Sequence, residues 1–263
     1  MKVFWAFTRQ AFHNTVIYRF EFWLRLFSIY LTMYGIYWVW KVLFTHKPGA
    51  FNVTYEQMVT YGLLGMALEL FLEVGPEFYI AQQIRTGAID TDLMKPLDFH
   101  MHMLARSSGE MFFNLAVLTL PAFLFGHLLF DMQFPAGIRA GLLFGVSVIF
   151  SFLVYFHVSF LIGMLSILTL DIRSISWTYY SLISFLSGQM LPLWLLPSFL
   201  QKLAEILPFK SIYYIPMSIY IGTFTTGQSI QAIGFQCAWT IALVVFSRWV
   251  WSRVQNRLIS HGR

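Results

Sequence analysis

The sequence predicts an all-α integral membrane protein with six transmembrane helices, and three observations carry that reading. Of its 263 residues 58% are apolar and 11% charged, where an average soluble domain carries about 25% charged residues. Aromatic residues reach 19%. The apolar residues fall in long charge-free intervals separated by short charged clusters. A soluble domain of this size leaves about a quarter of its unfolded surface in water, which gives no interior for so much apolar area. Soluble enzymes, disordered chains and collagen-like chains are excluded.

The formal net charge of +5 comes without any run of adjacent Lys or Arg, so no nucleic-acid partner is expected. Basic residues in such a chain anchor cytosolic loops. Cys237 is the only cysteine, which rules out an intrachain disulfide and a thiolate metal cage. Arg9, Arg19, Glu21 and Arg25 interrupt the start before any apolar run ends at a small-residue cleavage site. No cleavable signal peptide is therefore expected.

A single transmembrane domain, 1–263, divides as follows. Residues 1–24 mix Phe4, Trp5, Phe7 and Phe12 with Arg9, Gln10, His13 and Asn14, a pattern suited to a helix lying in the membrane interface. Spans need about 20 mainly apolar residues. The first is expected at 26–44, closed by Thr45-His46-Lys47-Pro48-Gly49, with Trp23 and Trp40 near its ends as an aromatic belt. The second covers 57–75. A loop over 76–108 follows, in which Phe78, Tyr79, Ile80, Ala81 and Ile84 make a short amphipathic helix stopped at Gly87. The third span covers 110–130. The charge-free interval 140–170 is long for a fourth and must tilt, bend or project. The fifth is placed at 174–196.

Between Lys210 and Arg248 no residue is charged; Pro192, Pro197 and Pro208 lie upstream of that stretch, and Pro216, Gly222 and Gly227 punctuate it. Proline removes a helix donor and clashes with the preceding turn. Residues 197–226 are therefore read as re-entrant half-helices on the outer side, with a sixth span at 229–248. Backbone of that kind survives at membrane depth only when buried in protein or lining a cavity. With the amino terminus inside, only Lys41, Lys47, Arg139, Lys202 and Lys210 of the 17 basic residues fall outside. Positive charge then favours two cytosolic termini.

Glu69, Glu73 and Glu77 recur at i, i+4 and i+8, and a continuous helix would put them on one face. A charge near the bilayer centre costs about 2.5–3.5 kcal/mol on insertion scales, so Glu69 is not expected to face lipid. It is a candidate for an ion pair with Arg25 or Arg106, for proton transfer, or for contact with a cationic substrate. His100 and His102 lack the carboxylate or thiol company of a metal site, and no metal is expected. Asp171 and Arg173 mark the turn between spans four and five.

The phrase IRTGAIDTDLMKPLDFHMHMLAR resembles the cytosolic loop of membrane subunits of type-2 ATP-binding-cassette (ABC) exporters. It contains Ile-Arg-x-Gly followed by Leu-x-Lys-Pro-Leu. The opening AFHNTVIYRFEFWLRL, with Tyr18-Arg19 and Phe22-Trp23, is similar to the same branch. So are Pro192, Pro197, Leu207-Pro208-Phe209 and Pro216 before the last span. The resemblance implies six spans, an inner-face amphipathic helix, a coupling helix within 76–108 and outer re-entrant helices. It also implies two copies of a separate ATPase subunit holding ATP and Mg, and a second permease subunit, identical or related, in the bacterial cytoplasmic membrane. Arg85, Gly87, Asp90, Lys95 and Pro96 would form the contact surface for the ATPase, and membrane lipid surrounds the rest. No Gly is followed by Lys, so the chain has no GxxxxGK phosphate cradle and no cofactor of its own is expected. An ion- or proton-coupled carrier using the Glu69/Glu73 face is the alternative; it would show inverted repeats, and no convincing one is visible. An intramembrane enzyme would need convergent catalytic groups, and only carboxylates on one helix are present.

Overall fold

The computed structural model describes residues 2–14, 19–46, 53–167 and 172–261. Their regular structure is all helical, with no strand among the described residues. Helix α1 (Lys2–Asn14) precedes α2 (Arg19–His46), α3 (Tyr55–Leu72), α4 (Glu77–Thr86) and α5 (Ile89–Leu93). Then come α6 (Phe99–Asn114), a π turn (Leu115–Thr119), α7 (Leu120–Leu129), α8 (Ile138–Met164) and α9 (Ile172–Leu186). The short α10 (Ser198–Ile206) and α11 (Tyr214–Tyr220) lead to the long α12 (Thr226–His261).

Five segments among the described residues are long and apolar enough to cross a bilayer: Trp23–His46, Tyr55–Thr86, Phe99–Leu129, Ile138–Met164 and Thr226–Gln255. The most apolar part of the second is 83% buried, against 17% for Trp23–His46 and 22% for Thr226–Gln255. Helix α3 is therefore the axis of the bundle, and α2 and α12 lie on its outside. A capping box starts α3: the Thr54 hydroxyl accepts from the Gln57 amide at 3.2 Å, and the Gln57 side chain accepts from the Thr54 amide at 3.0 Å. That arrangement satisfies two amides which would otherwise lack partners. The Gln57 side-chain amide also donates to the Ile221 carbonyl at 3.2 Å, which ties the start of α3 to the end of α11.

Several boundaries differ from the sequence reading. The expected interfacial segment 1–24 is shorter: α1 ends at Asn14, residues 15–18 lie outside the described set, and α2 begins at Arg19. Helix α1 packs along α6, where Thr8 and Ala11 are buried. A Cβ on Gly109 of α6 would collide with the Thr8 carbonyl and sit 2.7 Å from the Ala11 methyl, so the close approach requires glycine. The third span, expected at 110–130, is the second half of a run starting at Phe99. Pro121 supplies no amide to that run, and the adjacent π turn absorbs the mismatch, with the Leu120 amide bonding the Leu115 carbonyl. Helix α8 stops at Met164 rather than filling 140–170. Asp171 and the Lys47-Pro48-Gly49 turn lie outside the described residues, as does the side chain of Arg173.

The largest correction concerns the fifth span, expected over 174–196. Helix α9 has 15 residues, about 22 Å at 1.5 Å per residue, and is not among the five bilayer-length segments. It ends because Gly188 adopts φ 77°, a left-handed conformation that glycine tolerates. The Tyr61 hydroxyl of α3 donates to the Gly188 carbonyl at 2.5 Å. The irregular region therefore starts near 187, not at 197. It runs through a 3-10 turn after Pro192 to the amphipathic α10, a second 3-10 turn (Pro208–Ser211), and α11, which is buried throughout except for Tyr214. Helix α12, expected over 229–248, has 36 residues, about 54 Å, and carries Arg248 and Arg253 beyond the apolar region.

A buried polar network locks α8 to α12. The Gln236 side-chain amide donates to the Ser211 carbonyl at 2.8 Å and the Ser147 carbonyl at 3.2 Å, and its oxygen accepts from the Ser147 hydroxyl at 2.9 Å. The Ser151 hydroxyl donates to the Ser211 carbonyl at 2.9 Å. Both helices and the second 3-10 turn are thereby held in one register.

Candidate functional site: a carboxylate cavity and an exposed helical tip

The three glutamates do not share a face. Pro76 cannot continue α3, which ends at Leu72; Glu73 caps it and Glu77 opens α4. Each carboxylate then meets a different environment. Glu73 is salt-bridged to Arg25 of α2. Glu77 is fully buried, accepts from the Tyr180 hydroxyl of α9 through Oε1, and leaves Oε2 without a partner. Glu69 comes within side-chain hydrogen-bonding reach of Gln189. The expected pairing of Glu69 with Arg25 or Arg106 is not formed: Arg25 takes Glu73, and Arg106 pairs with Glu110 at 3.0 Å. The break removes Glu77 from the series and leaves the Glu69/Glu73 pair together.

Glu69 and Glu73 line one cavity of about 640 Å³ between α3, α8, α9 and the segment after α9. Its wall includes Tyr155 of α8, Trp177, Tyr180 and Phe185 of α9, and Tyr213. Phe78 of α4 completes it at the α4 end, with its ring 6.5 Å from that of Tyr180. Gln189 and Met190 line it where the chain leaves α9. Only the carboxylates were legible from sequence. Apart from Phe78, the rings come from elements more than eighty residues away, and no local pattern announces their convergence.

At the same end, α4 lays Glu77, Ile80 and Ala81 against the rest of the protein and turns Arg85 and Thr86 outward. Gly163 of α8 lets it approach: a Cβ there would sit 3.0 Å from the Glu77 Cα and 3.1 Å from the Ile80 side chain. Gly87 ends α4 at φ 72°, its amide bonding the Ile84 carbonyl at 3.2 Å. Arg85, Gly87 and Pro96 are exposed. Asp90 is on α5, and its side chain lies outside the described residues.

Lys95 turns inward. Its ammonium reaches the buried Asp92 at 2.6 Å and lies 3.3 Å from His102 Nε2, above the Phe7 ring of α1. The Tyr79 hydroxyl of α4 donates to Asp92 at 3.0 Å, and the Arg106 guanidinium stacks 4.1 Å from the Tyr79 ring centre. One network therefore ties α5 to α1, α4 and α6. Of it, the sequence exposes only the Asp92–Lys95 spacing. His100 and His102 diverge: His102 meets Phe7 and Lys95, while His100 Nε2 lies 3.2 Å from the Ser247 hydroxyl of α12, with its ring 5.2 Å from His157. Among the described residues no three His, Cys, Asp or Glu side chains gather to hold a metal.

A family model described as "ABC-2 family transporter protein" matches residues 30–262, from within α2 through α12. No curated protein matches the chain.

Proposed function

Because the chain belongs to the ABC-2 family of transporter proteins and is a type-2 ABC permease, we propose that it is the membrane subunit of an ATP-driven exporter. In this reading it forms the substrate pathway and takes its power from a separate ATPase. The observation that carries the proposal is the double role of α4. Its tip at Arg85–Gly87 is exposed, while Phe78 lines the cavity and Glu77 is bonded to Tyr180. A push on the tip is felt at the cavity wall, because a ten-residue helix pinned at Ile80 against Gly163 moves as a rod.

The finer parts of the proposal follow from charge and burial. Arg85, Gly87, Asp90 and Pro96 would present the ATPase contact, with Lys95 holding α5 in place beneath it. Two ATPase copies would bind ATP and Mg, and a second permease subunit would cover the open side of the cavity. Helix α9 together with residues 187–196 would supply the fifth of six crossings, and α10 and α11 would be the re-entrant pieces of the outer side. Basic residues favour cytosolic termini and an α4 end facing the cytosol, in a bacterial cytoplasmic membrane.

Arg85→Glu tests the coupling surface. The variant is expected to insert normally and to lose at least about tenfold in export, with ATP hydrolysis no longer stimulated by substrate. Unchanged export would refute the contact.

A further inference from the structure

We infer that the cavity between α3, α8 and α9 takes an organic cation with an apolar body. The inference rests on the permease reading and supplies its substrate class.

The charge balance of the wall comes first. Among the described residues two carboxylates line the cavity and no Lys or Arg does. The charge of Glu73 is matched by Arg25, reaching across from α2. Glu69 has Gln189 beside it, and a neutral amide can bond to a carboxylate but cannot cancel its charge. With Glu69 ionised, the cavity holds one negative charge that no described lining residue compensates. Between Gln57 and Leu72 of the central helix, Glu69 is the only exposed residue. A carboxylate opening sideways from a membrane helix is costly against lipid, and a monovalent cation meets that need directly.

The rest of the wall suits the body of such a ligand. Trp177 is 69% exposed and Phe185 54%, although both are large apolar residues next to the carboxylate. Aromatic faces attract cations by about 0.5–2 kcal/mol each. Met190, 63% exposed on the same wall, offers a pliant thioether that fits irregular shapes. The volume of about 640 Å³ falls within the range of about 300–1,000 Å³ for small-molecule sites. Anionic cargo, including phosphate-linked glycans and anionic lipid headgroups, meets Glu69 with no described lining cation to offset it.

The test is equilibrium binding of radiolabelled tetraphenylphosphonium to the full chain in lipid nanodiscs, with any subunits that copurify and without ATP. Protein-free nanodiscs give the background. Tetraphenylborate, of the same shape and opposite charge, is the comparison ligand. Saturable binding of the cation is expected, weakened at least about tenfold by Glu69→Gln and about three- to fivefold by Trp177→Ala. Tetraphenylborate should not compete. Three results would overturn the inference: no saturable binding to the wild type, equal binding by Glu69→Gln, or equal affinity for tetraphenylborate. If Glu69→Gln does not reach the membrane, Trp177→Ala and the borate comparison decide. Because the measurement needs no ATPase, cation binding without a copurifying ATPase would sink the exporter reading alone. A copurifying ATPase without cation binding would sink the substrate class alone.

Discussion

Two polar sites inside the same helical bundle behave in opposite ways. Around Gln236 both amide donors and the acceptor oxygen are used, every participating residue is fully buried, and the bonds join α8, α12 and a 3-10 turn. Around Glu69 the carboxylate opens into a cavity, and among the described residues of the wall no cation faces it. A closed network in a low-dielectric interior strengthens its own bonds and fixes the helices it joins. An open one leaves binding free energy for something that enters. On the proposed reading, the bundle separates polar groups that hold it together from a carboxylate that receives a ligand.

Substitutions can break or sharpen that contrast, and their effects on stability should fall in order. Gln236→Ala removes four bonds and leaves buried partners unmatched, so a loss of about 2–4 kcal/mol is expected, read as the largest fall in thermal midpoint in detergent. Gly188→Ala comes next, at about 1–3 kcal/mol. It forces a left-handed φ on alanine and sets a methyl 3.0 Å from the Tyr61 hydroxyl and Tyr214 Cβ. Gly87→Ala also meets a positive φ but open space, so about 1 kcal/mol is expected. Glu69→Gln should shift the midpoint least, by under about 0.5 kcal/mol, while weakening cation binding at least about tenfold. If Glu69→Gln destabilised the chain as much as Gln236→Ala, the carboxylate would be structural and the contrast would collapse.

The sequence carried the architecture in its composition and its breakers. Membrane class, the span over α2, the exposed turn at Gly87 and the broken region around Pro197, Pro208 and Pro216 follow from apolar intervals and from the chemistry of Pro and Gly. The early end of α9 does not, because Ser187-Gly188 sits in an apolar interval that a single helix accommodates on composition. What breaks it is Tyr61, more than a hundred residues earlier, donating to the Gly188 carbonyl. The acid ladder failed for a different reason. Gly75-Pro76 was visible between Glu73 and Glu77, but a period of four continues on paper through a proline that real helices do not pass. The Arg25–Glu73 pair and the rings around the cavity are long-range contacts, and nothing local in either partner specifies the other. Lys95 illustrates the limit within a motif: its spacing from Asp92 was readable, but its inward turn depends on Phe7 and His102 from two other helices.

An ATP-driven permease is tested most directly by a gentle detergent pull-down of the tagged chain from its native membranes, with partners identified by mass spectrometry. A stoichiometric soluble ATPase is expected, together with a second permease subunit, either another copy or a related chain. Recovery of the chain without any ATPase, under conditions that keep a known ABC exporter intact, would contradict the proposal.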